Sequence, residues 1–148
     1  MALVALGSRR VTHDFDFVVS HPHQRLSRMV GVMYEHGLEL AARVDEDGNI
    51  TATIDNRKVA AARLRIDAPK TAYFFNADTG LRVDLLFDFP IAAATLLERA
   101  HRLKIQGRLF DIASERDLLE LKTIARAARD APGDAEDIAF LEARRKPV

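Results

Sequence analysis

The chain has 148 residues, 48% hydrophobic and 30% charged, a balance that fits one folded globular domain and excludes a disordered one. It contains no cysteine, which excludes disulfides, thiolate metal sites and cysteine nucleophiles and agrees with a cytoplasmic location. Its 22 basic and 22 acidic residues balance, so a surface coated for broad nucleic-acid binding is not expected, and no apolar run nears the roughly 18 residues of a membrane span.

Met1–Ser8 is a short apolar segment that reads as the tail of a helix. Asp14–Ser20 alternates and then runs apolar, as a half-buried strand does. Pro22 suits the first turn of a helix with the apolar stripe Leu26, Met29, Val30, Met33 and Tyr34, and Gly37 stands where a C-terminal glycine is expected. Leu38–Val44 and Asn49–Ile54 read as strands joined by the turn Asp45-Glu46-Asp47-Gly48. A short alanine-faced helix is expected over Arg57–Leu64. Thr71–Asn76 and Leu81–Phe89 flank Ala77-Asp78-Thr79-Gly80, a second hairpin signal. Pro90 opens a helix expected to reach about Arg102, and Lys104–Ala113 is a weaker β segment around Gly107. Ser114 and Asp117 make a capping box ahead of Leu118, Leu119, Leu121 and Ile124. After Pro132-Gly133 a last helix is expected over Asp134–Arg145, with Ile138 and Leu141 inward. The sum is an α+β (or α/β) domain, a mixed sheet packed by helices. It is expected as a single domain over residues 1–148, with the sheet core to about residue 90 and a helical part from about 91.

In Asp14-Phe15-Asp16-Phe17 the strand period of two sends both carboxylates to one face and both phenylalanines to the other. Two carboxylates about 6–7 Å apart on one strand face suit Mg²⁺, which takes a few hard oxygen ligands and leaves places for water and phosphate. Arg82-Val83-Asp84-Leu85-Leu86-Phe87 adds a third carboxylate, Asp84, inside a strongly apolar strand, where a lone charge is costly unless paired or metal-bound. Three carboxylates converging from two strands repel one another without a cation. With metals bound they suit phosphoryl or nucleotidyl transfer. D-x-D is also a short motif that occurs by chance on solvated strand edges.

The stretch from Gly7 to Asp16, Gly-Ser-Arg-Arg-Val-Thr-His-Asp-Phe-Asp, has the form G-x-x-R-x-T-x-D-h-D, with h apolar. Downstream, Val83-Asp84-Leu85-Leu86 is followed by Ile112-Ala113-Ser114-Glu115-Arg116-Asp117-Leu118-Leu119-Glu120-Leu121-Lys122, and then by Arg129, Asp134, Asp137, Ile138 and Leu141. In order and spacing this series resembles the nucleotidyltransferase superfamily, in particular the AbiEii-type toxin family and its uncharacterised relatives. The resemblance implies a nucleotidyltransferase-like fold and transfer of a nucleoside monophosphate from an NTP to a hydroxyl acceptor. It implies Mg²⁺ (or Mn²⁺) on Asp14, Asp16 and Asp84, with Asp84 also activating the acceptor. It implies that Lys122 faces the nucleotide phosphates and that Asp134 positions Lys122 or the substrate. It further implies an RNA acceptor such as tRNA, and an antitoxin protein as partner. Taken alone, Lys122 reads as a solvated helix lysine and Asp134 as the N-cap of the last helix.

One departure stands out. The family's Gly-Gly or Gly-Ser phosphate-binding pair is not found at the expected spacing, because Gly7 serves as the glycine of G-x-x-R, and the usual N-terminal helix and strand are lacking. Either the protein begins upstream of Met1, or it is a shortened, non-catalytic relative acting as a nucleotide-binding or protein-interaction module. In the shortened form an apolar sheet face is left bare, and a homodimer is expected to cover it.

His13, His21 and His23 stand near the aspartates without zinc-ligand spacing, and turn or helix-start roles are expected for them. The basic groups Arg99, Arg102, Lys104, Arg108 and Arg126, Arg129, Arg144, Arg145, Lys146 read as solvated helix faces, one of which would line the acceptor path of an RNA-modifying enzyme.

Overall fold

The alternating segments become one five-stranded sheet in the computed structural model, which describes residues 2–8, 12–128 and 132–145. Two compact units divide the chain, Thr12–Phe89 and Met1–Val11 together with Pro90–Val148.

Thr12–Phe89 holds the sheet, built from β1 (Asp14–Val19), β2 (Glu39–Val44), β3 (Ile50–Ile54), β4 (Thr71–Phe75) and β5 (Arg82–Phe87) in the order β1-β5-β4-β2-β3. β1 pairs parallel to β5, and the other pairings are antiparallel. Asp45 Oδ1 accepts from the Asp47 and Asn49 N–H groups to close the β2–β3 turn. Asn76 Oδ1 does the same for Asp78 and Thr79 in the β4–β5 turn, where Gly80 takes φ +74°.

Two helices cover one face of this sheet. A 3₁₀ turn, His23–Arg25, leads into α2 (Leu26–Glu35), which follows α1 (Ala2–Ala5) of the other unit. α2 ends in a Schellman motif: the Gly37 N–H bonds the Tyr34 carbonyl and the Leu38 N–H reaches the Met33 carbonyl, with Gly37 at φ +73°. α3 (Arg57–Asp67) is capped by Asn56, whose side chain accepts from the Lys58 and Val59 N–H groups, and it runs three residues past the expected Leu64. Leu26 and Val30 of α2 and Ala60, Ala61 and Leu64 of α3 pack on Leu40, Phe74, Val83, Leu85 and Phe87, a single apolar core. Alternation then sends Asp14, Asp16, Tyr73, Arg82 and Asp84 to the opposite face, on which no helix of this unit lies among the described residues.

The second unit departs from expectation after Pro90. A single helix to Arg102 does not form. α4 spans only Ala93–Leu97, and His101–Ile105 is instead β6, hairpinned to β7 (Arg108–Ile112). The N-cap of α4 is Ala92, which supplies no side-chain cap, while Gln106 and Gly107 take φ +49° and +80°, the pair of positive values a two-residue hairpin turn needs. α5 (Glu115–Ala128) begins with one arm of the expected capping box, the Asp117 N–H donating to Ser114 Oγ, and the Ser114 hydroxyl in turn donates to the Asp117 carboxylate. α6 (Pro132–Arg145) starts two residues early, with proline at its first position. Asp134 therefore lies inside the first turn and is not the N-cap. Arg144 ties the unit together, its Nε on Glu115 at 2.7 Å and its Nη1 on the Leu6 carbonyl at 3.1 Å.

The protein is thus a mixed α+β fold with a mixed sheet and six helices among the described residues. No described helix is long and apolar enough to cross a membrane. Met1, Arg9, Arg10, Val11, Arg129 and Lys146, to which the sequence patterns gave places, lie outside the described residues.

Candidate functional site

The parallel β1–β5 register sets Asp14 beside Arg82 and Asp16 beside Asp84, so all four side chains rise from one face. Phe15 and Phe17, beside Val83 and Leu85, alternate to the other side, where Phe15 packs on the core and Phe17 stays 40% exposed. The three aspartates singled out in the sequence are therefore brought to one patch of two adjacent strands.

A fourth member of that patch, Arg82, was quoted in the sequence but given no role. Its Nε donates to Asp84 Oδ1 at 2.7 Å and its Nη2 to Asp84 Oδ2 at 3.0 Å, a bidentate bridge. Nη1 donates to the Gly48 carbonyl at 2.7 Å, and the guanidinium stacks 4.7 Å from the Tyr73 ring centroid. Tyr73 is the register partner of Asp84 on β4. The Arg82 and Asp84 side chains are only 18% and 14% exposed, whereas Asp14 and Asp16 are open to solvent. The signal for Arg82 was its spacing: two residues before Asp84 on a strand, it must share that face.

Charge on the patch does not balance, since three carboxylates face one guanidinium. Burial pushes the Asp84 carboxyl above its ordinary range, Asp16 and Asp14 add to the rise, and the Arg82 bridge offsets only part of it. Burial works against the Arg82 charge, yet the Asp84 hydrogen bonds and the nearby Asp84 and Asp14 charges hold its proton more tightly than usual.

Hard oxygen donors on one face with a net charge of about −2 fit a small divalent cation in chemistry. In arrangement the fit is partial. Both oxygens of Asp84 are engaged by Arg82, and among the described residues no three His, Asp or Glu side chains form a ready metal-holding group.

Lys122 and Asp134 belong to the other unit, and the structure does bring these two together. Lys122 Nζ lies 3.4 Å from Asp134 Oδ1 and 2.9 Å from Asp137 Oδ2, joining α5 to α6. Both aspartates are buried, and Lys122 is 26% exposed. Asp137 stood in the sequence pattern without a role. Three residues beyond Asp134 on a helix, it covers the same side of α6. Asp117, fully buried, is held by Arg99 at 2.6 and 3.2 Å, which lowers its carboxyl below the ordinary range, with Ser114 adding to the drop. The His21 ring lies tilted against His23 at 4.5 Å and against Phe87 at 5.2 Å, while His13 is exposed and its carbonyl accepts from the Arg82 N–H.

Compared with models of known protein families and with curated proteins, the chain finds no match.

Proposed function

We propose that the protein is a divalent-metal-dependent nucleotidyltransferase. The observation that carries this reading is the like-charged register pair Asp16–Asp84, with Asp14 one step along the same strand face and one arginine set against the three. Like charges directly opposed across a sheet are destabilising, so the arrangement calls for more positive charge than Arg82 supplies. Mg²⁺ or Mn²⁺ held by Asp14, Asp16 and Asp84 would supply that charge and neutralise the phosphates of an NTP. The acceptor hydroxyl would attack the α-phosphorus as the bond to the β-phosphate oxygen breaks and pyrophosphate leaves. By the resemblance, Asp84 would also take the hydroxyl proton. Lys122 as a phosphate contact, Asp134 as its positioner, an RNA acceptor such as tRNA, an antitoxin partner, a homodimer and a cytoplasmic location follow from the resemblance and the sequence reading.

The Arg82 bridge favours a second reading, in which the patch is a non-catalytic nucleotide-binding or interaction surface already part-neutralised by its own arginine. Isothermal titration of Mg²⁺, Mn²⁺ and each NTP into the wild type and into Asp14→Asn/Asp16→Asn tests the patch, and pyrophosphate release from the bound NTP then separates the two readings. Metal-dependent nucleotide binding and pyrophosphate release, both lost in the double variant, support the enzyme. Absence of binding at millimolar ligand leaves the second reading standing.

A further inference from the structure

On the helix-covered side of the same sheet, α2 and α3 leave an open groove of about 600 Å³ between them. It is lined by Arg28 of α2 and by Arg57, Lys58 and Arg65 of α3, against one carboxylate, Glu35. Among the described residues none of the four cations has a carboxylate partner, and Arg65 instead reaches the Ser27 hydroxyl. In a chain of zero net charge, a groove carrying four cations and one anion is a local concentration of positive potential.

The spacing gives the groove a direction. Arg57, Ala61 and Arg65 follow at intervals of four along α3, a stripe that covers roughly 12 Å at the helical rise. The floor is made of small residues, Gly31 facing the groove from α2 and Ala61 from α3. Gly31 sits in mid-helix without a positive φ, and a Cβ built on it would meet nothing within 4 Å, so the groove floor is open at this point.

We propose that this groove binds the phosphate backbone of a single nucleic-acid strand. The four cations lie along a path open to solvent, as a chain of phosphates requires. The lining holds no aromatic ring, so contacts run to backbone and not to stacked bases. Binding here is insensitive to base sequence and strongly dependent on salt. The site stands apart from the carboxylate patch and does not rest on the activity proposed for it.

Fluorescence anisotropy of a labelled oligouridylate against salt tests the site. Four phosphate contacts give a slope of log K on log salt of about −3, or roughly 50-fold weaker binding between about 50 and 200 mM. Arg57→Gln/Arg65→Gln, at two exposed positions, is expected to halve that slope and weaken binding at least about 10-fold at low salt. Gly31→Leu leaves charge untouched and improves helix propensity, and it is expected to weaken binding by filling the floor. Arg63→Gln, on the same helix but outside the groove lining and paired with Asp67, is expected to bind nearly as the wild type does. Absence of binding by the wild type, unchanged binding by the arginine double variant or by Gly31→Leu, or an equal loss with Arg63→Gln overturns the proposal. Competition by inorganic tripolyphosphate as effective as that by unlabelled oligonucleotide also overturns it, because the groove would then be a general polyanion site.

Discussion

Arg82→Met is the substitution that tests the charge reading of the carboxylate patch most directly. Methionine keeps most of the side-chain length and removes the bidentate bridge, the bond to Gly48 and the stack on Tyr73. Breaking one side of a buried ion pair costs about 3–5 kcal/mol, and Asp84 at 14% exposure belongs near the lower end. The loss expected at about pH 7 is therefore roughly 3 kcal/mol, and it depends on pH in a definite direction. Asp84 already has a folded-state pKa above its unfolded value, so its contribution to stability is complete below the ordinary carboxylate range and is lost as pH rises through the folded value. Removing Arg82 takes away the influence that lowers this pKa, so the folded value rises further and the pH range over which stability is lost widens. Well below the ordinary carboxylate range the carboxyl is neutral in both proteins, and the deficit should shrink to roughly 1 kcal/mol of lost packing and hydrogen bonding. Urea unfolding of both proteins across this range measures the difference at each pH. A deficit of equal size at both ends, or one under about 0.5 kcal/mol at neutral pH, would refute the reasoning and reduce the bridge to a surface ion pair. If the proposed function holds, saturating Mg²⁺ should restore part of the neutral-pH loss, by up to about 2.7 kcal/mol at a hundredfold excess over its Kd.

Asp16→Asn relieves the like-charge contact with Asp84 and should raise stability by about 0.5 kcal/mol while weakening any divalent-ion binding, both read from thermal melts with and without Mg²⁺. Lys122→Met leaves Asp134 and Asp137 buried without that cation and should cost roughly 2–4 kcal/mol in urea unfolding; an unchanged midpoint would show that the contact holds nothing together. The lowered pKa of Asp117 means that it contributes stability above its ordinary value, lost as pH falls through the folded one. Asp117→Asn should accordingly be less stable near neutrality and show a flatter acid-unfolding curve below about pH 4. Gly37→Ala places a Cβ 2.8 Å from Asn76 Nδ2 at φ +73°, and a destabilisation of about 1–2 kcal/mol is expected by calorimetry.

The sheet unit was legible because its signals are local and agree with one another. Alternation set the strands, Asp45 and Asn76 closed the turns through their own side chains, and Gly37 terminated a helix that nothing else would have stopped. Residues 90–105 were not legible for a matching reason. Ala92–Leu97 carries strong helix formers, but the pairing that claims His101–Ile105 depends on Gln106-Gly107, and Gln106 is an unusual residue for positive φ. At the patch, Asp14, Asp16 and Asp84 were visible as residue types on strands, whereas their adjacency required the parallel register between segments 68 residues apart. Arg28, Arg57, Lys58 and Arg65 escaped notice because their convergence comes from two helices packing side by side, which helical periodicity does not specify.

The position of Arg82 bears on how the three aspartates should be understood. β5 has two neighbours, and antiparallel β4 sets Tyr73 against Asp84, an aromatic face that supports the guanidinium. On the other side parallel β1 sets Asp16 against Asp84, where an apolar or basic residue would have stabilised the sheet. One edge of the strand thus builds a holder for a cation, while the other supplies more negative charge than that cation can offset. A purely structural ion pair needs Arg82 and Asp84 alone. Asp14 and Asp16 add repulsion and leave their carboxylates exposed to solvent, where an arriving cation can reach them. That surplus of accessible negative charge beside a partly neutralised, buried aspartate is the feature a stability argument does not explain and a cation-binding one does.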